Sequence, residues 1–403
     1  MLYQAYEIQS ELLAPLRRLA AELADAPSSS AATLSRHWAA ACALFARLRL
    51  THARPPFGID EVDIGAQRVA VREEVALQLP FGSLLHFRKD AGAGEQPAVL
   101  LAAPLSGHFA TLLRETVRSF LPDHDVYITD WHNARDVSLR HGEFGLDDYI
   151  GYLMRFIATV GPGCHVVAVC QPCVAALAAV ALLAEDDHPA QPRSLTLMAG
   201  PVDCRVNPTQ VNTLAAGHSI QWFERTLISR VTQQHAGFLR RVYPGFLQLA
   251  AFMGMNPERH RQSLRQALDH LVEGRLQEAA PILSFYDEYF AVNDLPAEFY
   301  LQTVARVFQT HDLPRGRLTW GHRTVDPAAI RRSSLMTVEG ERDDICSVGQ
   351  TVAAQDLCSN LRPSRKVHHV QTGVGHYGVF SGRRWNEQIY PRVRDLIYAS
   401  RAC

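Results

Sequence analysis

The segment from His165 to Glu185, HVVAVCQPCVAALAAVALLAE, constrains the fold of this chain more than any other. The residues up to Val169 form a short, nearly continuous apolar run that suits a buried strand. The Ala/Leu/Val run from Cys173 onward has the length and composition of a helix. Cys170 falls at the turn between them. A strand, a tight turn and a helix in immediate succession make the layout of a nucleophile elbow. The usual G-x-S-x-G window reads here Ala168-Val169-Cys170-Gln171-Pro172. Ala168 is small enough to keep the strand and helix close, and Pro172 suits the first helical turn, where its missing N–H costs nothing. Because Pro172 cannot donate a hydrogen bond, an oxyanion formed beside Cys170 must take the backbone N–H of Gln171. The partial positive charge of the helix N-terminus favours thiolate over thiol at Cys170.

The flanking sequence places this unit in a larger pattern. Arg68–Leu79 alternates, with Val69, Val71, Val75, Leu77 and Leu79 on one face. A turn at Pro80–Ser83 and a second run, Leu84–Phe87, complete an antiparallel hairpin. Short apolar runs then recur between helical stretches at Ala98–Ala103, Val126–Thr129, His165–Val169, Leu195–Met198, Leu335–Val338 and Val367–Val370. A leading hairpin followed by repeated strand–helix units predicts a mostly parallel, doubly wound α/β sheet with an antiparallel edge. The connection from Met198 to Leu335 is far too long for a simple crossover. Its segments SIQWFERTLISRV, GFLQLAAFM, HRQSLRQALDHLV and PILSFYDEYFAV are helical in pattern and rich in aromatics. They read as a helical cap over the carboxyl ends of the strands, where open α/β sheets bind ligands. At the N-terminus, Leu2, Tyr6, Leu12, Leu13, Leu16 and Leu19 recur at helical spacing. A break at Pro27–Ser30 and a second helical run through Trp38, Cys42, Phe45 and Leu48 follow. The plain reading is a helical hairpin packed on the main domain; the functional one is a docking element for a hydrophobic surface. The expected division is an N-terminal helical segment at 1–60, an α/β core at 61–204 and 331–403, and a cap at 205–330.

Composition excludes several functions. A formal net charge of -1 over 403 residues supplies no basic field for a nucleic-acid backbone. The 18 His show no H-E-x-x-H or similar ligand pattern. Cys164, Cys170 and Cys173 straddle a strand and a helix, so their side chains diverge and no metal is expected. Glu7 and Glu11 interrupt the N-terminal stretch, which does not read as a signal peptide. No run of apolar residues is long enough to span a bilayer. Eight Cys without an export signal are expected to be reduced thiols in a cytoplasmic protein.

A cysteine nucleophile needs a base and an orienting acid, and in α/β-hydrolases the chain order is nucleophile, acid, base. After Leu335–Val338 comes Glu339-Gly340-Glu341-Arg342-Asp343-Asp344. Asp343 is the expected acid and Asp344 its rival. After Val367–Val370, His376 stands in the loop TGVGHYG, whose glycines permit a tight approach to Cys170. The second oxyanion donor is expected in the loop after an earlier strand, Pro104-Leu105-Ser106-Gly107-His108, from Leu105 or alternatively Ser106. Ser106, Trp131 and Tyr377, near strand ends, are expected to contact substrate. Cys164 and Cys173 read as packing residues.

With these residues in place, the chain resembles the intracellular polyhydroxyalkanoate (polyhydroxybutyrate) depolymerases. The resemblance rests on the MLYQ start, PLSGH, AVCQP, EGERDDI and GVGHYGVFSG, and runs over almost the whole length. It implies the α/β-hydrolase fold. It also implies hydrolysis of amorphous polyhydroxybutyrate granules inside bacteria to 3-hydroxybutyrate oligomers and monomer. Nucleophile, acid and base then fall on Cys170, Asp343 and His376, and no cofactor is required. The partners implied are the granule and its polyester chain, with coenzyme A as an alternative acyl acceptor to water; self-association is left open. Two other readings stand beside it. A polyhydroxyalkanoate synthase also uses a Cys triad, but it carries glycine where this chain has Gln171. A non-catalytic granule-coating protein would bind through the N-terminal helices.

Overall fold

The computed structural model describes residues 2–25, 33–90, 95–255 and 257–400. Nine strands form the main sheet: β1 (Glu61–Ile64), β2 (Gln67–Leu79), β3 (Gly82–Lys89), β4 (Ala98–Ala102), β5 (Asp125–Trp131), β6 (His165–Val169), β7 (Ser194–Met198), β8 (Ser334–Gly340) and β9 (Lys366–Gln371). Their order is β1-β2-β3-β5-β4-β6-β7-β8-β9. β1, β2 and β3 pair antiparallel, β3 pairs antiparallel with β5, and every later pair is parallel. This is the α/β-hydrolase fold, with its antiparallel edge at the hairpin. β6 and β7 are buried at every position because helices cover both faces.

Alternation along the strands feeds two cores. Leu100, Ala102, Val166, Ala168, Leu195 and Leu197 face one side, against helices α4 (Leu146–Val160) and α5 (Cys173–Glu185). Val99, Leu101, Val167, Val169, Met336 and Val338 face the other, against α3 (Arg114–Phe120) and the C-terminal helix Tyr390–Ala399. In α5 every residue from Cys173 to Leu183 is buried, so this helix runs through the core and has no polar face. Among the described residues, no helix is long and apolar enough to cross a membrane.

Between β7 and β8 lie α6 (Gln210–Gly217), α7 (Ile220–Leu227), α8 (Gly245–Met255), α9 (Pro257–Val272), α10 (Leu276–Tyr289) and α11 (Ala297–Thr303). The stretch is not helical throughout. Ser229–Arg230, Arg241–Tyr243 and Leu295–Pro296 form a small antiparallel sheet, so the run SIQWFERTLISRV leaves the helix at Leu227.

The N-terminal pair is α1 (Leu2–Asp25) and α2 (Thr33–Arg47); the break expected at Pro27–Ser30 lies outside the described residues. One face of α1 is tied to the body. Tyr3 donates to the buried Asp294, Tyr6 stacks on Phe246 with ring centroids 4.2 Å apart, and Glu7 accepts from Thr232. The other face shows Leu2, Ile8, Leu12, Leu16, Leu19 and Leu23 to solvent, Leu12 at 71 % exposure.

Burial also makes the fold sensitive to acid. It holds the imidazoles of His108 and His124 down to about 4 and that of His52 down to about 3. The unfolded chain binds these protons near pH 6.5. The stability these neutral rings contribute is therefore intact above pH 6.5 and is lost as the pH falls toward 4. A fall in Tm on the order of 10 °C is expected between pH 7 and 4.5, read by differential scanning calorimetry. A flat profile across that window contradicts it.

Candidate active site

Cys170 follows β6 directly and has φ of +67°, the left-handed region that side chains other than glycine rarely enter. Such strain costs on the order of 1–3 kcal/mol and persists only where the surroundings enforce it. Here the Cys170 N–H donates to the Met198 carbonyl at 2.7 Å, and the Cys170 carbonyl accepts from the Cys173 N–H at 3.1 Å as α5 begins. Pro172 precedes the helix with φ of −67°. The elbow lacks its usual glycines, and Gly200, after β7, compensates. A Cβ at Gly200 would stand 2.2 Å from the Cys173 Cβ and 3.1 Å from the Cys170 carbonyl. Sequence reasoning did not single out Gly200; the only signal was a glycine closing a strand next to the elbow.

Asp343 follows β8 and is buried. Its Oδ1 accepts from the N–H groups of Ile345 (2.9 Å) and Cys346 (2.8 Å), and its Oδ2 bonds the Nδ1 of His376 at 2.7 Å. Asp344 is exposed and takes no part in this contact. His376 lies buried in a single turn after β9. Burial alone would lower its pKa. The Cys170 sulfur and the Asp343 carboxylate outweigh that effect and hold the imidazole well above its ordinary value. Cys170 and His376 face the same cavity. Glu339, at the end of β8, was also missed. Its fully buried carboxylate accepts from the N–H groups of Gly349, Thr351 and Val352, and so clamps the loop that carries Asp343.

Leu105 is the expected second oxyanion donor. Its N–H points at the side-chain oxygen of Gln171 at 3.2 Å, and the same oxygen accepts from the Tyr149 hydroxyl at 3.1 Å. Among the described residues, the N–H groups of Gln171 and Ser106 have no partner, and both residues line the cavity.

That cavity encloses about 590 Å³. Cys170, Gln171 and His376 lie on its sheet side, and Leu214, Phe252, Phe299 and Tyr300 of α6, α8 and α11 lie among its apolar walls. Tyr377 lines it. Trp131 does not: it is 2 % exposed, its indole N–H donates to the Ala103 carbonyl at 2.8 Å, and its ring packs on Tyr149. The strand alternation turns Trp131 into the core, and Gly82 leaves room for its ring. Cys164 and Cys173 are buried, and burial pushes the Cys164 thiol up to about 12. Among the described residues, no group of His, Cys, Asp and Glu is placed to hold a metal ion.

A family model described as PHB de-polymerase C-terminus matches residues 199–401, just over half of the chain. The match includes Asp343 and His376 and begins after Cys170. No curated protein matches the sequence. Several solved structures match the chain at low identity. A bacterial membrane phospholipase A is 14% identical, with 83% of this chain and 87% of that one covered and a TM-score of 0.44. The 2-hydroxy-6-oxo-6-phenylhexa-2,4-dienoate hydrolase of Rhodococcus sp. strain RHA1 is 13% identical, with 82% and 99% covered and a TM-score of 0.41. A thermophilic esterase of Thermogutta terrifontis is 12% identical, with 85% and 98% covered and a TM-score of 0.40.

Proposed function

Because this chain belongs to the PHB depolymerase family, a family of polyester hydrolases, we propose that it cleaves amorphous poly(3-hydroxybutyrate) on intracellular granules through a Cys170–His376–Asp343 triad. The observation that carries this reading is the strained Cys170 sharing an apolar cavity with a His376–Asp343 pair 2.7 Å apart.

His376 takes the thiol proton of Cys170, and Asp343 holds the ring by Nδ1 and stabilises its charge. The thiolate adds to an ester carbonyl of the chain. The resulting oxyanion is received by the N–H of Gln171 and by that of Ser106, since the Leu105 N–H is taken up by the Gln171 side chain. Collapse breaks the C–O bond, and His376 returns its proton to the departing alkoxide. A 3-hydroxyacyl thioester remains on Cys170. Water, deprotonated by His376, attacks it and frees the acid and the thiol; coenzyme A thiol is the competing acceptor. The segment 205–330 acts as a cap that keeps the polymer in an apolar cleft.

Incubation with amorphous granules tests the reading. Release of 3-hydroxybutyrate oligomers and monomer is expected. Polymer formation from 3-hydroxybutyryl-CoA would instead make the chain a synthase. Dependence of turnover on coenzyme A, with a CoA thioester as product, would make thiolysis the physiological step.

The exposed apolar face of α1 is the docking element for the granule, a water-insoluble polyester surface that takes up apolar side chains. Changing Leu12, Leu16 and Leu19 together to Glu is expected to release the protein from sedimented granules, by about 10-fold or more. Its kcat on a soluble 3-hydroxybutyrate oligomer should be unchanged. Undiminished co-sedimentation would show that another surface docks.

A further inference from the structure

A second groove adjoins the catalytic cavity. It encloses about 330 Å³ and shares four lining residues with the cavity: Phe252, Met255, Ile345 and Tyr377. Tyr377 directly follows His376, so the groove opens from the histidine side of the site. Its floor is aromatic, with Phe285 and Tyr289 at ring distances of 6.0 and 6.4 Å from Tyr377. Its rim is polar and carries Arg259, in the first turn of α9, and Asp344. Arg259 lies close enough for its charge to act on His260, Tyr286, Tyr289 and Tyr377.

The direction of the substrate follows from the chemistry. In a 3-hydroxybutyrate chain each ester joins an acyl carbon to the hydroxyl of the next unit. The part acylating Cys170 therefore ends in a hydroxyl, and the part leaving as alcohol ends in a carboxylate. His376 must protonate that leaving oxygen, so the alcohol part lies on the histidine side, toward Tyr377 and the groove beyond it. A methyl-bearing chain suits the aromatic floor, and a terminal carboxylate suits a guanidinium. We propose that this groove holds the leaving-group side of the polyester and that Arg259 binds the free carboxylate at the end of short oligomers. Asp344, on the same rim, repels that carboxylate and keeps it on the Arg259 side. The inference rests on the depolymerase reading above, and it makes Arg259 a specificity residue for chain ends.

The test compares the 3-hydroxybutyrate trimer as free acid with the same trimer as its methyl ester. Wild-type protein should cleave both, with a lower KM for the acid. In Arg259→Gln, KM for the acid should rise by about 10-fold, with kcat and the constants for the methyl ester unchanged. Arg259→Lys should recover part of the loss. Asp344→Asn should lower KM for the acid alone. An equal change for both trimers, or no change for the acid, overturns the proposal. If wild-type protein cleaves neither trimer, the depolymerase reading itself fails. Arg259 is exposed, so these variants retain the fold.

Discussion

Replacing Cys170 by alanine is expected to lower release of 3-hydroxybutyrate from amorphous granules by about 10,000-fold or more, because removing one member of a coupled triad forfeits almost all that the triad supplies. The substitution should leave the fold intact. Cys170 is only partly buried, and alanine removes a single sulfur without adding volume. The left-handed backbone at this position is enforced by the Met198 carbonyl and by the start of α5, so alanine is held in the same strained turn. Matching circular dichroism and Tm, together with the activity loss, separate a chemical effect from a structural one. Full activity in the alanine protein would remove Cys170 from the mechanism.

Asp343→Asn is expected to cost about 10,000-fold in kcat for a different reason. An Asn side chain fits the same space and still accepts the Ile345 and Cys346 N–H groups through its oxygen. Its NH2 group then faces His376 Nδ1 and forces the tautomer that cannot accept the thiol proton at Nε2. It also removes one of the two charges that hold the imidazole proton. The neighbouring Asp344→Asn should leave kcat on amorphous polymer within about 2-fold of wild type, since exposed substitutions away from the reacting atoms change little. If the two carboxylates exchanged these effects, the acid would be Asp344.

The legibility of the fold varied with the physical origin of each element. Parallel strands such as β6 and β7 are buried on both faces, so their sequences are continuous apolar runs and their limits differ from expectation by a residue at most. β1, Glu61–Ile64, lies on the edge with Glu61 and Asp63 exposed and Val62 and Ile64 partly buried, and four residues are too few for their alternation to stand out. The short strands at Ser229–Arg230, Arg241–Tyr243 and Leu295–Pro296 are too brief to show a period at all.

The site divides in the same way. Cys170, Asp343 and His376 each follow a strand in a recognisable turn, so chain order alone could nominate them. The engagement of Leu105 could not be read, because it depends on a side chain 66 positions away. The orientation of Trp131 was open to alternation reasoning: Gly82 pairs with it across the β3–β5 ladder, and the large ring needs that missing Cβ. Glu339 carried a weak signal, an acidic residue within an otherwise apolar strand end. Only the loop folded back over it reveals three N–H donors on one buried carboxylate.

The most direct test of Cys170 as nucleophile is to trap the acyl-enzyme. A soluble 3-hydroxybutyrate oligomer is mixed with the protein, quenched in acid within the first turnover, digested and sequenced by tandem mass spectrometry. A 3-hydroxybutyryl thioester on Cys170, and on neither Cys164 nor Cys173 of the same peptide, is the predicted result, and hydroxylamine should remove it. Turnover with the acyl group found on Ser106, or with the Cys170 peptide never modified, would contradict a cysteine nucleophile in this fold.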